Sequence, residues 1–152
     1  MAADDCRQKA LDLLARRSHF RRQLEEKLRA RRFASDVIAR TLDELAELGY
    51  LDDRRAAEEF ATARLRRGPV GRRRMRHELE RRGADPDAVE RALDATYADA
   101  SDLEMAREAA TRWRRRGGTD PDRLARHLDR LGFAGGSIVR VLDEARERDA
   151  ET

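Results

Sequence analysis

Arginines are the residues whose type and crowding point to chemistry in this chain. Nine of them, Arg64, Arg66, Arg67, Arg72, Arg73, Arg74, Arg76, Arg81 and Arg82, stand against only Glu78 and Glu80. A guanidinium stays charged at any physiological pH, and its planar fork grips phosphate or carboxylate through two parallel donors. The chemistry on offer is therefore recognition of an anion, either a polyanion or an acidic protein groove. Only Lys9 and Lys27 are lysines. A codon bias towards arginine explains that choice as well as selection does, but it does not explain the clustering. A second group, Arg112, Arg114, Arg115 and Arg116, precedes Gly117-Gly118 and repeats the arrangement of Arg64 to Arg67. It either extends the basic strip or simply complements the dipole at the end of its helix. Arg29, Arg31 and Arg32 are offset by Glu25 and Glu26 and make a weaker case.

Other chemistries find little footing. Cys6 is the only cysteine, which rules out an internal disulfide and suits a reducing cytosol. His19, His77 and His127 lack the spacing of metal ligands and are expected at the surface. Asp52-Asp53 could be an acid pair, yet aspartate opening a helix after Gly-Tyr-Leu is more economically an N-cap. There is no Gly-Lys-Ser/Thr phosphate loop, so neither nucleotide hydrolysis nor a cofactor is expected. No apolar run approaches the roughly 18 residues of a membrane span. These features predict a non-enzymatic, cytoplasmic protein with no membrane contact, and polar ends predict a monomer.

The elements that must position the arginines follow from an internal repeat. Leu24, Leu28, Ile38, Leu42 and Asp43 recur at the same internal spacing as Met75, Leu79, Val89, Leu93 and Asp94, and again as Leu124, Leu128, Ile138, Leu142 and Asp143. Arg40, Arg91 and Arg140 coincide as well, and the turn position holds Arg32, Gly83 and Gly132. Apolar positions four apart share one helical face, so each copy contains two short helices facing across a turn. Asp85-Pro86 and Asp120-Pro121 place an N-cap before a first-turn proline, Ser35 is positioned to cap the third helix, and Ser101 with Glu104 forms a capping box. Gly83 and Gly132 supply C-terminal stops.

An upstream helix completes each copy, marked by Ala10, Leu11 and Leu14, by Phe60, Ala61 and Leu65, and by Ala106, Ala109, Ala110 and Trp113, whose indole is expected to fill core. The sequence thus predicts an all-α chain of three tandem three-helix repeats, residues 5–50, 51–99 and 100–149, packed as an elongated, curved array. In the middle copy, Arg64, Arg66 and Arg67 close one helix and Arg72, Arg73, Arg74 and Arg76 open the next across Gly68-Pro69-Val70-Gly71. Cations in a first helical turn oppose the dipole, a local cost that points to a binding role.

These residues resemble the RecX family, regulators of the bacterial recombinase RecA. The likeness runs from about Ala10 to Glu147. It is strongest in Leu48-Gly-Tyr-Leu-Asp-Asp53 with Ala56, Ala57 and Phe60, then in Arg67-Gly-Pro-Val-Gly-Arg-Arg-Arg-Met75 with Glu78, Leu79, Arg82 and Gly83, and then in Leu128 to Leu142 with Gly132-Phe133. The first repeat departs from the pattern, with Phe20, Gln23 and Arg32 where a Ser, a Glu and a turn Gly are usual. A looser turn at Arg32, and an N-cap passed to Ser18, are expected there. The resemblance implies a protein that lies along the RecA–DNA filament and suppresses ATP hydrolysis, strand exchange and filament growth. Its contacts, to recombinase or non-specifically to DNA, are expected through Arg64, Arg66, Arg67, Arg72, Arg73, Arg74, Arg76, Arg82, Arg112, Arg114, Arg115 and Arg116. The alternative is a DNA-binding protein with helix-turn-helix units, but the third helices, such as Pro86 to Tyr97, offer mostly Asp, Glu and Ala, which are poor readers of base edges.

Overall fold

Nine helices and no strands make up the computed structural model, which describes residues 1–152. In chain order they are α1 (Ala2–Arg16), α2 (Arg21–Ala30), α3 (Ser35–Glu47), α4 (Asp53–Arg66), α5 (Arg72–Arg81), α6 (Pro86–Asp99), α7 (Asp102–Arg115), α8 (Pro121–Arg130) and α9 (Gly135–Glu151). None is long and apolar enough to cross a membrane. The chain divides into two compact units, one comprising residues 1–60 with 79–92 and the other 61–78 with 93–152.

The repeated apolar positions do what their spacing requires. In the first unit Leu24, Leu28, Ile38 and Leu42 are buried with Cys6, Ala10, Leu45 and Leu51, and α1, α2 and α3 pack on one another. In the second, Met75, Leu93, Leu124, Leu128, Phe133 and Val141 are buried, and α7, α8 and α9 pack together. The third copy departs slightly: Ile138 and Leu142 are half-buried, and Val141 takes the buried place on α9.

The repeated aspartates are fasteners in the first two copies, whereas Asp143 in the third only approaches Arg146 of its own helix at 3.9 Å. Asp43 and Asp94 each receive the guanidinium of the residue that opens the preceding helix, Arg21 at 2.7 Å and Arg72 at 2.6 Å. Arg40 pairs with Asp36, Arg91 with Asp87 and Arg140 with Glu144, all one helical turn away. A further fastener has no obvious sequence signal. The Asp53 carboxylate accepts the backbone N–H of Arg21 at 2.8 Å and of Asp85 at 3.0 Å, joining the starts of α2 and α6 within the first unit. Asp102 repeats the device in the second unit, accepting the N–H groups of Arg72 and Ala134, both at 3.0 Å, and the Ser137 hydroxyl at 2.8 Å. Carboxylates at helix starts satisfy orphan N–H groups and complement the dipole. Asp52 is the expected cap, accepting from the Arg55 N–H at 3.2 Å.

Most turn signals hold. Asp85 accepts the Asp87 N–H, Asp120 that of Asp122, and Ser101 that of Glu104, while Gly83 and Gly132 adopt positive φ at 86° and 83°. The first repeat brings corrections. Ala34, not Ser35, is the cap residue of α3, because Ser35 is already helical. Phe20 occupies the cap position of α2, and the Gln23 side chain accepts its N–H at 3.0 Å, while the Ser18 hydroxyl bonds Glu59 instead. The turn at Arg32 is not loosened: Arg32 itself adopts φ 68°, the only non-glycine with positive φ, and reproduces the glycine turn. An L-residue there costs about 1 kcal/mol in backbone strain.

His19 corrects another expectation, being 3% exposed rather than at the surface. Its Nδ1 bonds the Arg17 carbonyl at 2.9 Å and its Nε2 receives the Lys27 ammonium at 2.8 Å. Burial, followed by the charges of Lys27 and Arg17, outweighs the carbonyl bond and holds the imidazole below its ordinary pKa.

Candidate anion-binding site

The turn Gly68-Pro69-Val70-Gly71, between α4 and α5, is the anchor of the site. Val70 is buried, and its carbonyl accepts the Tyr97 hydroxyl at 2.7 Å. Burial, with Asp102 adding to it, pushes that phenol far above its usual range, so it stays a donor. Gly71 donates its N–H to the Leu131 carbonyl at 2.8 Å, and a Cβ there would lie 2.2 Å from the carbonyl oxygen of Gly132. Only glycine allows two backbones this close. The turn is therefore welded to the end of α8.

This weld sorts the arginines of the basic run. Arg64 is paired with Glu78 at 3.0 Å and is only 13% exposed. Arg72 repeats the role of Arg21, bound to Asp94. Arg73 reaches the carbonyl and carboxylate of Asp129, at 2.7 and 2.9 Å, and Arg74 reaches the Arg130 carbonyl at 3.0 Å. Both thus cap the C-terminus of α8, where cations are favoured. Arg76 is half-buried and engaged, and Arg82 lies 4.6 Å over the Phe60 ring. The unfavourable placement of cations in the first turn of α5, which the sequence offered as a sign of binding, is offset inside the fold. Asp102 meets the start of α5, and two of its arginines serve the end of α8.

Arg66 and Arg67 at the end of α4, Arg115 and Arg116 at the end of α7, and Arg81 at the end of α5 are exposed and make no ion pair. Arg67 and Arg116 come together with Arg64 and Arg112 around one cavity of about 180 Å³, completed by Pro69, Val70, Trp113, His127 and Leu131. The two basic clusters that the sequence separates by some forty residues thus share a single site, and no carboxylate lines it. Arg112 is balanced by Glu108 at 2.9 Å, as Arg64 is by Glu78. The unpaired Arg67 and Arg116 oppose two helix C-termini worth about half a negative charge each. About one positive charge is left, enough to hold a single phosphodiester or carboxylate.

Arg114 does not join this cavity. Its side chain lines a different one and is half-buried, with a neighbour in Trp113. Trp113 corrects its expected role, since it is not core: it is half-buried, lines both cavities and packs over Gly118, where a Cβ would lie 2.4 Å from the indole. His127 is a residue that sequence reasoning missed in this role. It faces the first cavity, and burial, then Arg130 and Arg116, hold its pKa below the ordinary value. Only its position one turn before Leu131 and Gly132 hinted at a place beside the weld.

Comparison with known proteins gives this geometry a family. The family model described as RecX, first three-helix domain, matches residues 6–45, and that for the second three-helix domain matches residues 52–93. A regulatory protein RecX of Trichlorobacter lovleyi is 35% identical over 108 residues, 71% of this chain and 70% of that one. One of Pseudomonas syringae is 46% identical over 87 residues, 57% of this chain and 56% of that one. The crystal structure of RecX from Lactobacillus salivarius superposes with a TM-score of 0.83 at 22% identity, covering 94% of this chain and 96% of that one, a likeness of fold.

Proposed function

Because the chain belongs to the RecX family of regulatory proteins, we propose that it regulates the bacterial recombinase RecA by binding the RecA–DNA filament and inhibiting it. Inhibition covers ATP hydrolysis, strand exchange and filament growth, with no chemistry performed by the chain itself. One observation carries the reading of the site: Arg67, Arg112 and Arg116 meet at a cavity without carboxylates, and Arg66 and Arg115, next to them in sequence, are exposed and unpaired. Such a site suits the regularly spaced charges of a filament-bound strand, where each phosphate contact displaces a counterion. Among the sequence-predicted residues, Arg66, Arg67, Arg112, Arg115 and Arg116 are the binding set in this proposal. Arg64, Arg72, Arg73 and Arg74 hold them in place.

The helix-turn-helix reading gains no support. The exposed side of α6 carries Asp87, Glu90, Asp94 and Asp99 against Arg91 alone, and such a surface repels a phosphate backbone. The decisive assay is DNA-dependent ATP hydrolysis by the cognate recombinase. Substoichiometric protein is expected to lower the rate, and an unchanged rate at saturating protein would rule the proposal out.

A further inference from the structure

The cavity that Arg114 lines is a site of a different kind. Its volume is about 290 Å³, and its floor is apolar, built from Trp113, Leu124, Leu142 and Ala145. Its polar wall is Arg114, Arg146 and Arg148, with Asp149 as the one carboxylate. Arg146 is loosely paired with Asp143 at 3.9 Å. The Nη2 of Arg114 is buried and has no hydrogen-bond partner. Leaving a buried cationic donor without an acceptor is costly, and protein interiors rarely tolerate it. The nearest charges do not relieve it: Arg148 repels Arg114, and Asp149 attracts it without forming an ion pair. Arg114 thus lines an opening with an apolar floor while one of its donors goes unbonded.

We infer that this cavity binds a carboxylate of a protein partner, carried by an acidic peptide segment whose adjacent apolar side chain rests against Trp113, Leu124 and Leu142. The carboxylate accepts from the Arg114 and Arg148 guanidiniums, and completes the pairing that Asp149 leaves unfinished. A nucleic-acid strand fits less well. Its bases would stack on Trp113 but leave the aliphatic Leu124, Leu142 and Ala145 uncovered, and Asp149 at the wall opposes a run of phosphates. This assignment does not depend on what the neighbouring basic cavity binds, and it separates the adjacent arginines of α7 into two tasks, with Arg114 facing protein.

The test uses the full chain and two readouts. Trp113 is the only tryptophan, so its fluorescence reports on the cavity, and the side-chain Nε–H resonance of isotopically labelled Arg114 reports on the guanidinium. The probe is an acetylated, amidated peptide Leu-Glu-Leu-Asp-Leu, with its Gln/Asn analogue and an oligothymidylate as comparisons. The acidic peptide should move both signals and the analogue neither. Arg148→Ala, at an exposed position that leaves folding intact, should weaken the response about tenfold, as expected for loss of one charge-assisted contact. The inference is overturned if the acidic peptide leaves the Arg114 resonance unmoved at about 10 mM. An equal response to the neutral analogue, or the same Arg114 shift with oligothymidylate, overturns it as well.

Discussion

The arginines that open α5 and those that close α4 and α7 look alike in the sequence but differ in the folded chain. Arg72, Arg73 and Arg74 find acceptors in Asp94, Asp129 and the carbonyls at the end of α8. Arg66, Arg67, Arg115 and Arg116 find none, and two of them face a common cavity. The lesson is that charge density along a chain does not measure what is available for binding. What matters is the count of acceptors within reach, and a backbone carbonyl on a distant helix engages a guanidinium as well as a carboxylate does, though without neutralising its charge.

The largest effect is expected at the weld. Gly71→Ala would force a methyl into the Gly132 carbonyl, so unfolding by denaturant should show a loss of at least about 3 kcal/mol, with both arginine sets losing their positions. A mild change there would mean that the turn can move away from α8. Next in size, replacing Arg73 and Arg74 together with Ala should lower stability by about 1–2 kcal/mol, since two caps on α8 are lost. If stability is unchanged, these side chains are not fasteners and belong with the binding set.

The smallest effect expected is on pH dependence. His127 is held below its ordinary pKa by burial and then by Arg130 and Arg116, so it is neutral at neutral pH in the free protein. An anion in the cavity would raise that pKa, so binding takes up a proton and strengthens as pH falls through the pKa of the anion-bound state, by less than about tenfold. His127→Ala should flatten this slope in a binding titration, whereas a slope that survives would place the titrating group elsewhere.

Much of the scaffold was legible in the sequence. The repeat of Leu, Ile and Asp at fixed spacing marks both the core and the Asp43 and Asp94 fasteners, because helical periodicity is local information. The proline and glycine punctuation marked the helix ends for the same reason. Less legible were Arg32, whose positive φ shows that a tertiary frame can impose a turn its residue does not prefer, and His19, drawn into the interior by Lys27 and the Arg17 carbonyl. The meeting of Arg67 with Arg116 was suggested only as an extension of the strip, and the double role of Asp102 not at all. Both depend on long-range approach between helices, which no local pattern encodes.

On the proposed function, arginines at the ends of α4 and α7, rather than those opening α5, contact the filament. The most direct test is the salt dependence of binding to recombinase filaments on single-stranded DNA. Two variants should be compared at matched folded fraction, one with Arg67→Ala and Arg116→Ala, the other with Arg73→Ala and Arg74→Ala. The first pair is expected to weaken binding and flatten the log–log salt slope by roughly one to two units, while the second leaves the slope as in the parent protein. A slope that flattens with the α5 pair and not with the Arg67 and Arg116 pair would contradict it.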